Sequence, residues 1–178
     1  MSIGMPSLSR LALAGLLALG GCASQLATKE SLPDWRPLPR VGGPMQIQVR
    51  RCIDRTGYAT RDLSKEATDA LVDKLSATTE VEVRPDGRYV VTCDISSFVE
   101  GSAFKRWLVP GWGATTGQVA VMVTDSQSGE TLAIIRGRAT VAAGGFYSVG
   151  ADQIILASAL DDIVRQFRQF AAGNAPLK

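Results

Sequence analysis

The sequence predicts an α+β domain in which two helices cover a mainly antiparallel sheet, in the order β-α-β-β-β-β-α. Three observations carry this expectation. Several segments alternate apolar and polar residues with period two, and two longer segments place apolar residues at helical spacing. The links between them are rich in Gly, Pro, Asp and Ser, as turns require.

The first strand spans 46–53, where Ile47 and Val49 alternate. Asp62 then caps a helix over 63–77, with Leu63, Ala67, Ala70, Leu71 and Leu75 on one face. Strands over 79–83 and 88–99 flank Pro85-Asp86-Gly87, a tight-turn sequence. Two more, 118–124 and 131–142, are joined by the turn residues 125–130, and Val119, Val121 and Val123 share a face of the first. The last helix, 151–171, presents Ile154, Ile155, Ala157, Leu160, Ile163, Val164, Phe167 and Phe170 as an apolar stripe. Asp161, Asp162, Arg165, Gln166 and Arg168 form its polar face, and the adjacent Asp161 and Asp162 are read as solvated. The globular domain is therefore 45–172, followed by a flexible tail over 173–178.

Composition narrows the function classes. A chain of 178 residues holds one ordinary domain and a short appendage, and 46% hydrophobic residues suffice for a packed core. A net charge of +2 is too balanced for a nucleic-acid binder. Histidine is absent, which excludes Ser-His-Asp and Cys-His catalysis and His-ligated zinc. Asp69 and Asp73 share a helix face without further ligands in reach, and Asp161 and Asp162 diverge by about 100° around their helix. The glycines at 111, 113 and 117 have the wrong spacing for a dinucleotide loop, and no phosphate-loop Lys accompanies them. No cofactor, metal or small-molecule substrate is expected.

The amino terminus is an export signal. Arg10 precedes the apolar run LALAGLLAL at 11–19, far shorter than the roughly 20 residues of a spanning helix. Leu19-Gly20-Gly21-Cys22 resembles the lipobox of bacterial lipoproteins. The resemblance implies a signal peptide over 1–21, cleavage before Cys22, and lipid on the Cys22 thiol and new amine. Ala23 resembles the outer-membrane default, because an Asp at that place commonly signals inner-membrane retention. The expected location is the inner leaflet of the outer membrane, facing the periplasm, held by a lipid anchor.

Residues 22–44 comprise the lipidated Cys and an extended tether. Pro33, Pro37, Pro39 and Pro44 argue against helix or central strand and favour a polyproline-like spacer. Trp35 is either a sticky point within the tether or a residue packed on the domain.

The segment 95–132 resembles the bacterial family called domain of unknown function 4410. It reads ISSFVEGSAFKRWLVPGWGATTGQVAVMVTDSQSGETL, and the matching positions are Arg106, Trp107, Gly111, Gly113, Asp125, Gly129, Glu130 and Leu132. Pro110 departs from the Gly-rich pattern. The element order also looks like that of small envelope domains in the curli secretion channel, in a lipoprotein activator of peptidoglycan synthases, and in the Tol-system translocation protein. What those likenesses imply is protein binding in the periplasm without catalysis.

Two features inside the domain bear on function. Cys52 and Cys93 are the cysteines left once Cys22 is modified, and an oxidising compartment favours their pairing as a disulfide. Strand parity argues against it: Cys93 shares a face with Tyr89, Val91 and Ile95, while Cys52 alternates with Ile47, Val49 and Ile53. A bulge around Arg50-Arg51 would restore the parity. The loop over 101–117 holds Phe104, Arg106, Trp107, Leu108 and Trp112, residue types that dominate protein interfaces. The same residues would serve to cover an open end of the core, or to contact lipid. The expected function is that of a non-catalytic, lipid-anchored periplasmic accessory protein whose partners are the membrane and another envelope protein. The alternative is an oligomerising subunit of an envelope secretion or assembly channel.

Overall fold

In a computed structural model the described residues are 34–38, 42–99, 114–141 and 151–176. They form strands β1 (Asp34–Trp35), β2 (Met45–Val49) and β3 (Ile53–Asp54), helix α1 (Leu63–Ser76), strands β4 (Val81–Val83), β5 (Tyr89–Val99), β6 (Thr115–Asp125) and β7 (Thr131–Val141), and helix α2 (Ala151–Ala171). The fold is α+β, with two helices packed on a mostly antiparallel open sheet. Its strands lie in the order β1-β7-β6-β5-β2-β4, and β3 also pairs with β5.

The long ladders, β5–β6 and β6–β7, are antiparallel, and the turn at 126–130 returns the chain directly from β6 to β7. The short ladders β2–β4, β2–β5 and β3–β5 are parallel. Helix α1 carries the chain from β3 to β4, and a crossover of that kind returns a strand in its original direction. Asp62 caps α1 as its side chain accepts a 2.9 Å hydrogen bond from the Lys65 N–H.

One face of the sheet is buried. Ile47, Val91, Cys93, Ile95, Val119, Val121, Val123, Ala133 and Ile135 point toward the helices. Leu63, Leu71 and Leu75 of α1 and Ile155, Leu160, Ile163, Phe167 and Phe170 of α2 complete the core from above. The opposite face alternates out with Gln118, Met122, Arg136 and Arg138, and no described element covers it.

Four differences from the sequence expectation have physical reasons. The strand expected over 46–53 is broken into β2 and β3. Between the pairs Val49↔Val91 and Ile53↔Asp94, its side of the ladder is one residue longer than the β5 side. Secondly, Asp34–Trp35 of the expected tether is a strand, at an edge, where a neighbouring proline costs no ladder bond. Strand β6 begins at Thr115, three residues early, because β7 extends far enough to pair with it at Val141. Finally, Asp162 and Gln166 are buried, at 3% and 6% exposure, and do not belong to a solvated face. That flank of α2 faces β7: Gln166 Nε2 donates to the Asp162 carboxylate at 2.9 Å and reaches the Arg136 carbonyl at 3.4 Å. Arg165 pairs with the same carboxylate. Asp161, by contrast, is exposed and pairs with Lys74 of α1.

Close approach of α2 to the sheet depends on Gly137. A Cβ there would lie 2.2 Å from the Ala159 carbonyl oxygen and 2.8 Å from Ile163 Cγ1. The first is helix backbone, which cannot swing aside as a side chain could. Gly137→Ala should therefore force α2 off the sheet and destabilise the domain by about 1–3 kcal/mol, as overpacked cores do. Thermal melting should show a drop of several degrees.

Candidate functional site

The structure joins Cys52 and Cys93 in a disulfide, with Cα atoms 4.4 Å apart. The extra residue between β2 and β3 is what permits it. Both cysteines are buried on the helix side of the sheet, while Ile53 turns outward and is half exposed. Helix α1 fixes this turn. The Cys52 N–H donates to Thr68 Oγ1 at 2.8 Å, and the Ser64 hydroxyl donates to the Cys52 carbonyl. The bond closes a separation of 41 residues and ties the parallel edge of the sheet to β5.

The candidate loop residues Phe104, Arg106, Trp107, Leu108 and Trp112 lie outside the described residues, as does the candidate lipid acceptor Cys22. The ends from which the loop departs are nevertheless fixed. Val99 pairs with Thr116, and Thr115 pairs with Val141. The links 100–113 and 142–150 therefore both leave from one end of the sheet. Helix α2 starts at the same end, since Ile155 and Leu156 lie over Gly117.

The opposite end carries the turn of the family-like motif. Gly129 takes φ +72°, a conformation open to Gly at little cost, and its N–H donates to the Asp125 carbonyl at 2.8 Å. Asp125 is nearly buried; its carboxylate accepts from Arg88 Nη2 at 2.6 Å and from the Gln127 N–H at 2.8 Å. The Arg88 hydrogen bonds, then the turn N–H, hold its carboxyl below the usual carboxylate range. The Asp-x-x-x-Gly-Glu signature is thus a structural turn that sets the β6–β7 register.

Sequence reasoning left the role of Trp35 open, and the structure settles it. The indole is buried, sits edge-on to Phe170 with ring centroids 6.1 Å apart, and donates from Nε1 to the Asn174 carbonyl at 3.1 Å. Asn174, within the segment expected to be a flexible tail, is the other jaw of this clip. A cleft of about 590 Å³ lies between 34–38 and 130–134, with Asp34, Arg36 and Glu130 as its charged lining. Among the described residues no three His, Cys, Asp or Glu side chains converge as metal ligands would, and no helix is long and apolar enough to cross a membrane.

Residues 56–145 match the model of the family described as "Domain of unknown function (DUF4410)". No curated protein matches the sequence significantly. Among solved structures, the fold is similar to the PelC dodecamer from Paraburkholderia phytofirmans. The TM-score is 0.55 at 14% identity, covering 80% of this chain and 99% of that one. It is also similar to the hypothetical protein CT253 from Chlamydia trachomatis, at TM-score 0.51 and 10% identity, over 72% of this chain and 99% of that one.

Two predictions follow from the geometry. Replacing both Cys52 and Cys93 by Ala should lower unfolding free energy by about 2–4 kcal/mol, the range for a loop of this length, measured by urea titration of oxidised wild type against variant. Asp125→Asn should destabilise the domain at neutral pH. A carboxyl with a depressed folded pKa stabilises above its unfolded pKa of about 3.9, and that gain is lost as pH falls through the folded value. The gap between wild type and Asp125→Asn should therefore shrink below about pH 4.

Proposed function

The chain belongs to the DUF4410 family, and we propose that it is a non-catalytic, lipid-anchored subunit of the bacterial envelope that works by assembling with copies of itself. The observation that carries the assembly half is the fold. It spans nearly the whole of a chain that is described as a dodecamer, and it extends across most of this one. A sheet buried on one face and uncovered by any described element on the other supports it, since an assembly needs surface that the monomer does not consume.

The anchoring half rests on Leu19-Gly20-Gly21-Cys22 behind Arg10 and its apolar run. A buried disulfide fits the oxidising periplasm to which such a signal delivers a protein. Ala23 favours the outer membrane, with the domain on the periplasmic side. Two or three acyl chains hold stably where one would exchange, each buried methylene adding about 0.8 kcal/mol.

A second reading, an accessory protein bound to a different envelope protein, draws on the aromatic and basic residues of the segment 101–117. One experiment separates the readings. Cells producing wild type or Cys22→Ser are labelled with fatty acid and crosslinked, and the purified mature protein is weighed in detergent by light scattering. Assembly of a lipoprotein predicts label on wild type alone and a mass of several copies. Monomer mass at every concentration, with crosslinks to other proteins only, would replace the first reading by the second. Normal-size, labelled Cys22→Ser would end the lipoprotein reading.

A further inference from the structure

We propose that the end of the sheet marked by Val99, Thr116 and Val141 faces the membrane, with the exposed apolar side chains of Val99 and Ile154 at the lipid surface. The proposal rests on the lipid-anchor reading and adds an orientation to it. Its first support is the direction of β1. The pairs Asp34↔Ile134 and Trp35↔Ala133 are antiparallel, so the chain traced from Asp34 back toward Cys22 leaves pointing along β7 toward Val141.

The second support is length. From Ile134 to Val141 the strand rises about 24 Å. The chain between Cys22 and Asp34 spans about 40 Å at full stretch. A straight course therefore uses more than half of that reach before it passes the end of the sheet, so that end can stand no more than roughly 15 Å from the lipid. The Trp35 clip to Phe170 and Asn174 prevents the domain from gaining slack by releasing 34–38.

The third support is the surface found there. The large apolar residues most exposed among the described ones are Ile53, Val99, Met122 and Ile154. Two of them sit at this end: Val99, 51% exposed, is the last residue of β5, and Ile154, 48% exposed, is in the first turn of α2. Residues Thr116 and Gly117 lie between them, paired with β5 on one side and beneath Ile155 on the other. The turn at 126–130 lies about 34 Å farther along the strands, well beyond the interface.

The test uses the mature, lipid-anchored full chain in vesicles of phosphatidylethanolamine and phosphatidylglycerol carrying a nitroxide near the headgroup. An environment-sensitive fluorophore is attached to Val99→Cys, Ile154→Cys or Ser128→Cys, one variant at a time, and each sample is floated with its vesicles. Quenching at positions 99 and 154 several-fold above that at 128 is the expected result. Floating protein with quenching equal at all three, or greatest at 128, overturns the orientation and leaves the anchor reading standing. Protein that carries no lipid and does not float overturns the anchor reading, and the orientation with it.

Discussion

The architecture depends on how closely α2 lies against β6 and β7. A glycine at 137 lets the helix backbone come down onto the sheet, with the Ala159 carbonyl where any larger residue would put its Cβ. That contact brings Ile155 and Leu156 over Gly117 at one end of the helix and Phe167 and Phe170 into the core at the other. It also explains the burial of Asp162 and Gln166. A helix set so low has its flank against the sheet, and polar side chains there must find partners in Arg165 and the Arg136 carbonyl. Phe170, positioned by the same helix, is what Trp35 packs on, so the attachment of the amino-terminal segment follows from it as well.

The opposite side of the domain is organised by a one-residue irregularity. In a sheet, a slip of one residue moves every later side chain to the other face. The extra residue between β2 and β3 applies that slip to Cys52 and brings it onto the face of Cys93, while Ile53 is turned out. A second irregularity on β5, between Ile95 and Ser97, has the corresponding effect: Val91, Cys93 and Ile95 are buried before it, and Phe98 after it. Phe98 then meets Tyr58 edge-on at 4.9 Å, which seals the loop leading into α1.

Most of the fold was legible because long periodic segments carry their own signal. Helix α2 was expected over 151–171 and has those bounds, and α1 ends one residue sooner than expected. What was not legible lies where tertiary context overrides local pattern. Nothing local tells Asp162 from Asp161; only the approach of β7 to one flank of the helix separates them. Prolines around Trp35 read correctly as hostile to a central strand, yet an edge pair of two residues is open to such a segment. The parity of Cys52 was undecidable because a bulge leaves little mark in the residues that form it. Of the candidate site, the turn at 125–130 was plain in sequence, but nothing local showed that Arg88, just ahead of β5, holds the Asp125 carboxylate.

A lipid anchor also changes what a self-contact must supply. Free in solution, two copies must overcome the loss of translational and rotational freedom before any interface holds them. Copies fixed to one membrane by a short tether have already given up much of that freedom, and their effective concentration rises accordingly. Under the proposed anchoring, the Trp35 clip would limit the slack between lipid and domain, so that neighbouring copies would meet at similar height and in similar orientation. Under those conditions a polar face such as that of Gln118, Met122, Arg136 and Arg138 need not have the apolar character of an obligate dimer to support assembly. Closed rings need each copy to meet the next through the same pair of surfaces. A common tilt at the membrane would favour that repetition over a random aggregate.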